Sequence, residues 1–134
     1  MTVRTRRAAV TAALFLYTAF LFWYATLPAP PHLWIELFWD KFKHAAAFFV
    51  LSGVCLVALG FPDWSPRKCA VKGQWAVAYS LAVGVAIECF QMNIPGRAAE
   101  RADVVADLIG AAAAVLLAVM YLRRRERLQR AAHP

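Results

Sequence analysis

AAVTAALFLYTAFLFWYATL, the stretch Ala8–Leu27, holds 20 consecutive positions without a charge. A helix rises about 1.5 Å per residue, so such a run crosses the roughly 30 Å hydrocarbon core of a bilayer. Three further uncharged runs follow, Ala45–Phe61, Gly73–Ile87 and Leu108–Leu122. They predict four spanning helices at Ala8–Leu27, Lys43–Phe61, Gln74–Ile94 and Asp103–Leu122. Leu27-Pro28-Ala29-Pro30-Pro31 stops the first, because proline lacks an amide donor and disfavours helix in the residue before it. Pro62 and Pro66 punctuate the second connection, and Ile94-Pro95-Gly96 turns the chain between spans three and four. The first run exceeds the apolar core of a signal peptide, about 7–15 residues, and ends in aromatics and prolines, so it is expected to stay as a helix.

Composition agrees. The 134 residues are 62% hydrophobic and 17% charged, with a mean hydropathy of +0.53. A soluble domain averages about 45–50% apolar and about 25% charged. A secreted disulfide scaffold, a disordered tail and a nucleic-acid-binding domain are excluded on these grounds. Cys55, Cys69 and Cys89 form no CxxC pair; two sit in apolar stretches and Cys69 in a basic linker. Residues 1–7 and 123–134 read as a short N-terminus and a basic tail around the membrane domain 8–122. With four spans, the side holding both termini carries eleven Lys and Arg and the other side four, so both termini are expected in the cytoplasm. That asymmetry accounts for the net charge of +7 without a nucleic-acid partner. Trp23, Tyr24, Trp34 and Trp39 then cluster at the outer interface.

The polar residues inside or beside the spans carry the chemistry, since a charge at a helix centre costs about 2.5–3.5 kcal/mol on insertion scales. In this topology Asp40, Lys41, His44, Glu88, Gln91, Arg97, Asp103 and Asp107 all fall in the outer leaflet. Spacing aligns them. Asp40 and His44 are i,i+4, Glu88 and Gln91 are i,i+3 with Gly84 one turn away, and Asp103, Asp107, Gly110 and Ala114 form one stripe. The small residues in that stripe predict close approach to a neighbouring helix. Glu88 is expected about 9 Å below the end of its span and Asp107 about 6 Å below the start of its own. Structural roles compete: Asp40 and Asp103 as N-caps, Arg97 as a solvated interfacial residue, His44 as a satisfied interfacial histidine, Glu88 as an interhelical hydrogen-bond partner. Carboxylates with a single histidine do not select an ion, so no metal and no cofactor is assigned.

Asp40-Lys41-Phe42-Lys43-His44, Glu88-Cys89-Phe90-Gln91, Pro95-Gly96-Arg97 and Asp103-Val104-Val105-Ala106-Asp107-Leu108-Ile109-Gly110, in this order, resemble the VanZ-like family of small bacterial membrane proteins. The likeness runs from Asp40 to Gly110 and departs at Asp107, where asparagine is typical of the family. It implies a multi-pass protein of the bacterial cytoplasmic (inner) membrane. The family is named for a protein that lowers susceptibility to teicoplanin, a glycopeptide acting outside the membrane. An outward polar cluster fits the handling of an envelope lipid or cell-wall precursor.

The fold expected is therefore an all-α, four-helix transmembrane bundle with both termini cytoplasmic. Two functions remain open, and with them the question of enzyme or not. In one, Asp40, Lys41, Gln91, Arg97, Asp103 and Asp107 bind a membrane lipid, a lipid-linked ligand or a glycopeptide, aided by the N-termini of spans two and four. In the other, the protein is a hydrolase or transferase of a lipid headgroup, with His44, oriented by Asp40, as general base and Glu88 as general acid. No HExxH, nucleophile elbow or glycine-rich phosphate loop narrows the chemistry. An ion pathway fits poorly, because Ala111–Met120 is wholly apolar and the polar trail stops in the outer leaflet.

Overall fold

The computed structural model describes residues 3–27, 34–95 and 99–132. These residues form four α-helices and no strand: α1 (Val3–Ala25), α2 (Trp34–Ala58), α3 (Pro66–Gln91) and α4 (Arg101–Ala132). Each is long and apolar enough to cross a membrane.

All four helices start before the predicted spans, α1 at Val3 rather than Ala8, because hydrophobicity reports the bilayer whereas helix length is set by caps and breakers. α2 begins at Trp34 rather than Lys43. α3 begins at Pro66 rather than Gln74; the Ser65 side chain accepts the Lys68 amide at 3.3 Å and Pro66 occupies the first helical turn. This places Cys69 in a helix, buried against Val119 and Leu122, and not in a linker. α4 continues past Leu122 to Ala132, so the basic tail is largely a helical extension. Its Arg, Leu, Glu, Gln and Ala residues are good helix formers, with neither glycine nor proline among them. α1 closes through turns from Thr26 to Trp23 and from Leu27 to Tyr24; Pro28, Pro30 and Pro31 lie outside the described residues.

In alternating order, α2 and α4 run parallel to one another and antiparallel to α1 and α3. α4 packs on α2 and α3, while α1 packs on α2 and α3 and makes no contact with α4 among the described residues. Lipid tails are as apolar as leucine, so helices associate here through close packing and interhelical hydrogen bonds. Small buried residues permit it: Gly110 lies directly on the Ala45 carbonyl of α2, and Gly73 of α3 lies on the Val115 side chain. Ser52, fully buried, donates to the Ala111 carbonyl at 3.1 Å. Outside this seam the molecule is greasy. Phe15, Leu16, Trp75, Ile109 and Leu116 are each at least 60% exposed, an arrangement that is stable in lipid and adhesive in water. Trp23, Tyr24 and Trp39 are exposed where α1 ends and α2 begins, whereas the Trp34 side chain lies outside the described residues.

Candidate functional site

The end of α1, the start of α2, the end of α3 and the start of α4 meet at one end of the bundle. Because α2 and α4 are parallel there, their polar stripes form a ladder. Its outer rung is Lys41, whose Nζ donates to Glu100 Oε2 at 2.6 Å and to Asp103 Oδ1, and stands 3.8 Å from Asp40 Oδ2. One turn deeper, His44 Nδ1 lies 2.9 Å from Asp107 Oδ1, and its Nε2 is 3.8 Å from Asp103 Oδ2. Below these the Ala45–Gly110 contact closes the seam. Asp103 and Asp107 are buried, and such groups are tolerated in an apolar setting only when paired.

α3 adds the third wall. Glu88 and Gln91 are buried. One oxygen of Glu88, Oε2, accepts the Glu100 backbone amide at 2.8 Å, which ties α3 to the start of α4. The other, Oε1, is buried without a hydrogen-bond partner among the described residues. Gln91 Nε2 donates to the Ala25 carbonyl at 3.3 Å, holding the end of α1 to α3. One turn before Glu88, Gly84 leaves room for Asp107: a Cβ there would stand 2.5 Å from Asp107 Oδ2. Gly84→Ala is therefore expected to push the Asp107 carboxylate off His44 without unfolding the bundle, since the displaced atom ends a side chain. In nuclear magnetic resonance spectra, the His44 ring signals should shift while far-ultraviolet circular dichroism stays unchanged.

Between α1, α2 and α3 lies a cleft of ≈ 210 Å³. Asp40, Lys43, His44 and Gln91 line it towards the end of the bundle, and Leu21, Phe48 and Ile87 line it one turn further in.

A family model described as VanZ/LLP1 matches residues 6–122. The chain belongs to the VanZ-like family. Comparison with curated proteins and comparison with solved structures each give no match. VanZ-like membership and the four apolar helices make this a multi-pass membrane protein.

Of the residues that the VanZ-like motifs single out, Asp40, Lys41, His44, Glu88, Asp103 and Asp107 come together, and Gln91 faces His44 across the cleft. Arg97 lies outside the described residues. Four details differ from expectation. Asp40 is well inside α2 and Asp103 sits in the first turn of α4, so neither is an N-cap; the Asp103 amide instead bonds the Glu100 carbonyl at 3.0 Å. Depths reverse: with α3 ending at Gln91 and α4 starting at Arg101, Glu88 is about 4.5 Å from its helix end and Asp107 about 9 Å from its own. The carboxylate hydrogen-bonded to His44 is Asp107, not Asp40. Asp40 pairs instead with Lys43 at 3.3 Å.

Two members of the site escape the sequence reading. Glu100 shares Lys41 with Asp103 and bonds Glu88 through its amide; its spacing three residues before Asp103 on the incipient helix face is the signal that could have found it. Lys43 sits in the quoted motif and lines the cleft.

Proposed function

We propose that this VanZ-like protein lies in the bacterial cytoplasmic membrane with both termini inside. Its polar end then faces outward and binds the headgroup of an envelope lipid or lipid-linked cell-wall precursor. The cleft carries this reading. Its charged mouth at Asp40, Lys43, His44 and Gln91 stands over Leu21, Phe48 and Ile87, the polarity order of an amphiphile entering head outward. The excess of basic residues on the opposite side of the membrane supports the orientation. Lys41, Asp103 and Asp107 keep His44 and Asp40 in place, Gln91 and Lys43 contact the headgroup, and Arg97 joins them on the evidence of its motif. An effect on teicoplanin susceptibility follows if the bound lipid is a cell-wall precursor.

The test is native mass spectrometry of the purified full chain released from nanodiscs of bacterial lipid. One retained phospholipid or precursor per chain is expected, reduced about tenfold by Ile87→Trp, which fills the apolar part of the cleft. Equal retention by Ile87→Trp would overturn the proposal. In cells, overexpression should shift teicoplanin susceptibility and Arg97→Ala should abolish the shift at an unchanged membrane level.

A second reading rests on the His44–Asp107 contact of 2.9 Å. In the neutral tautomer with Nδ1–H donated to Asp107, Nε2 keeps its lone pair. It could then take the proton of a water or hydroxyl attacking a headgroup, while Glu88 protonates the departing oxygen. Total-lipid mass spectrometry of deletion and overexpression strains separates the readings: a product peak that requires His44 favours the enzyme, and unchanged lipid composition favours binding.

A further inference from the structure

We infer that Asp40, His44 and Asp103 form a binding site for one divalent transition-metal ion, with Asp107 holding the histidine in its liganding orientation. One ligand atom from each of the three lies within 4.8 Å of the others. Atoms about 2.0–2.2 Å from a common ion stand at most about 4.4 Å apart. His44 Nε2 and Asp103 Oδ2, at 3.8 Å, already satisfy that limit. The Asp40 carboxylate needs at most a small turn, and with 41% of its side chain exposed it has room to make one.

The surroundings have the form that metal sites use. A liganding histidine usually donates its second ring N–H to a carboxylate, which fixes the tautomer and raises ligand basicity; His44 Nδ1 lies 2.9 Å from Asp107 Oδ1. Liganding carboxylates are in turn hydrogen-bonded; Asp103 engages Lys41 through Oδ1 and leaves Oδ2 towards His44. Charge points the same way. Asp40, Glu88, Glu100, Asp103 and Asp107 outnumber Lys41 and Lys43 among the described residues of the cluster, so a divalent cation offsets a local negative excess.

A separate observation comes from α3. Glu88 is 95% buried, being 5% exposed, and its Oε1 has no hydrogen-bond partner among the described residues. It stands one turn from Gly84, the residue that touches Asp107, and within electrostatic reach of His44, Asp103 and Asp107. A buried oxygen without such a partner is a group that a water, free or ion-bound, satisfies. One imidazole with carboxylates suits Zn²⁺, Fe²⁺ or Mn²⁺, with open positions for water or a ligand phosphate. Because Asp40 and His44 also line the cleft, the ion would sit at its mouth. An ion on Nε2 removes that atom as a base, which aligns the site with binding rather than with the His44 enzyme.

The inference concerns the same site as the headgroup reading but is tested without lipid ligand, so the two fail separately. The tag-free full chain in detergent is titrated with Zn²⁺ by calorimetry and with Mn²⁺ by electron paramagnetic resonance. One ion per chain is expected, with a histidine nitrogen coupling on Mn²⁺. His44→Gln should remove the coupling and weaken binding at least tenfold. Asp40→Asn and Asp103→Asn should each weaken it at least tenfold, and Asp107→Ala about 10–100-fold. Glu126→Gln, far along α4, should leave it unchanged. Asp40→Asn alters a half-exposed side chain and so reports even if the buried variants misfold. The inference is overturned by absence of stoichiometric binding, by a wild-type Mn²⁺ spectrum without nitrogen coupling, or by binding that His44→Gln and Asp40→Asn leave intact.

Discussion

Gly110→Leu is expected to prevent α2 from assembling on α4. A Cβ at this position already overlaps the Ala45 carbonyl, with the Ala45 carbonyl carbon and Cα close behind. Those are backbone atoms of a helix and have no rotamer through which to retreat. The helices must separate, and the Lys41–Asp103 and His44–Asp107 contacts of the adjoining turns are lost with them. Overpacking a core typically costs about 1–3 kcal/mol; the smaller Gly110→Ala change should fall at the top of that range and the leucine beyond it. Gly73→Ala is the control, because its neighbour is a Val115 methyl, which can shift. Unfolding titrations in sodium dodecyl sulfate should rank Gly110→Leu, Gly110→Ala and Gly73→Ala in descending cost. A Gly110→Ala protein as stable as Gly73→Ala would show that the α2–α4 seam is looser than described.

Lys41→Met should produce the second large effect. Methionine keeps much of the apolar stem but removes the cation that Glu100 and Asp103 share. Asp103 is buried, so its charge is left with a neighbouring acid and little water. Hydrogen bonds to charged groups contribute about 1.5–3 kcal/mol, and an abandoned buried charge costs at least as much. The expected loss is about 2–3 kcal/mol, with loosening of the start of α4 visible as faster amide exchange near Glu100. Much of this cost is the unpaired acid rather than the missing contact. Adding Asp103→Leu to Lys41→Met should therefore recover most of the stability. If the double variant is the sum of its parts, the two residues are not coupled as their geometry requires.

The cluster was only partly legible in the sequence. Helical spacing placed Asp103, Asp107 and Gly110 on one stripe, and they do face α2 together. The same reasoning paired His44 with Asp40 because they are i,i+4, yet His44 bonds Asp107, 63 positions away. Neighbours on one helix face share a direction and need not share a bond, since whatever packs opposite competes for the same atoms. Glu100 was missed for a related reason: it precedes α4, and its role exists only because the end of α3 brings Glu88 to its amide and α2 brings Lys41 to its carboxylate.

Number, approximate position and apolar character of the four helices came from sequence alone, because each run meets the bilayer requirement by itself, whatever its neighbours do. Which carboxylate holds the histidine, which shares the lysine, and where a cleft opens were decided by tertiary structure. Those features depend on the rotation and register of one helix against another, here set by the Gly110–Ala45 and Gly84–Asp107 approaches, and a one-dimensional pattern of hydrophobicity carries neither quantity.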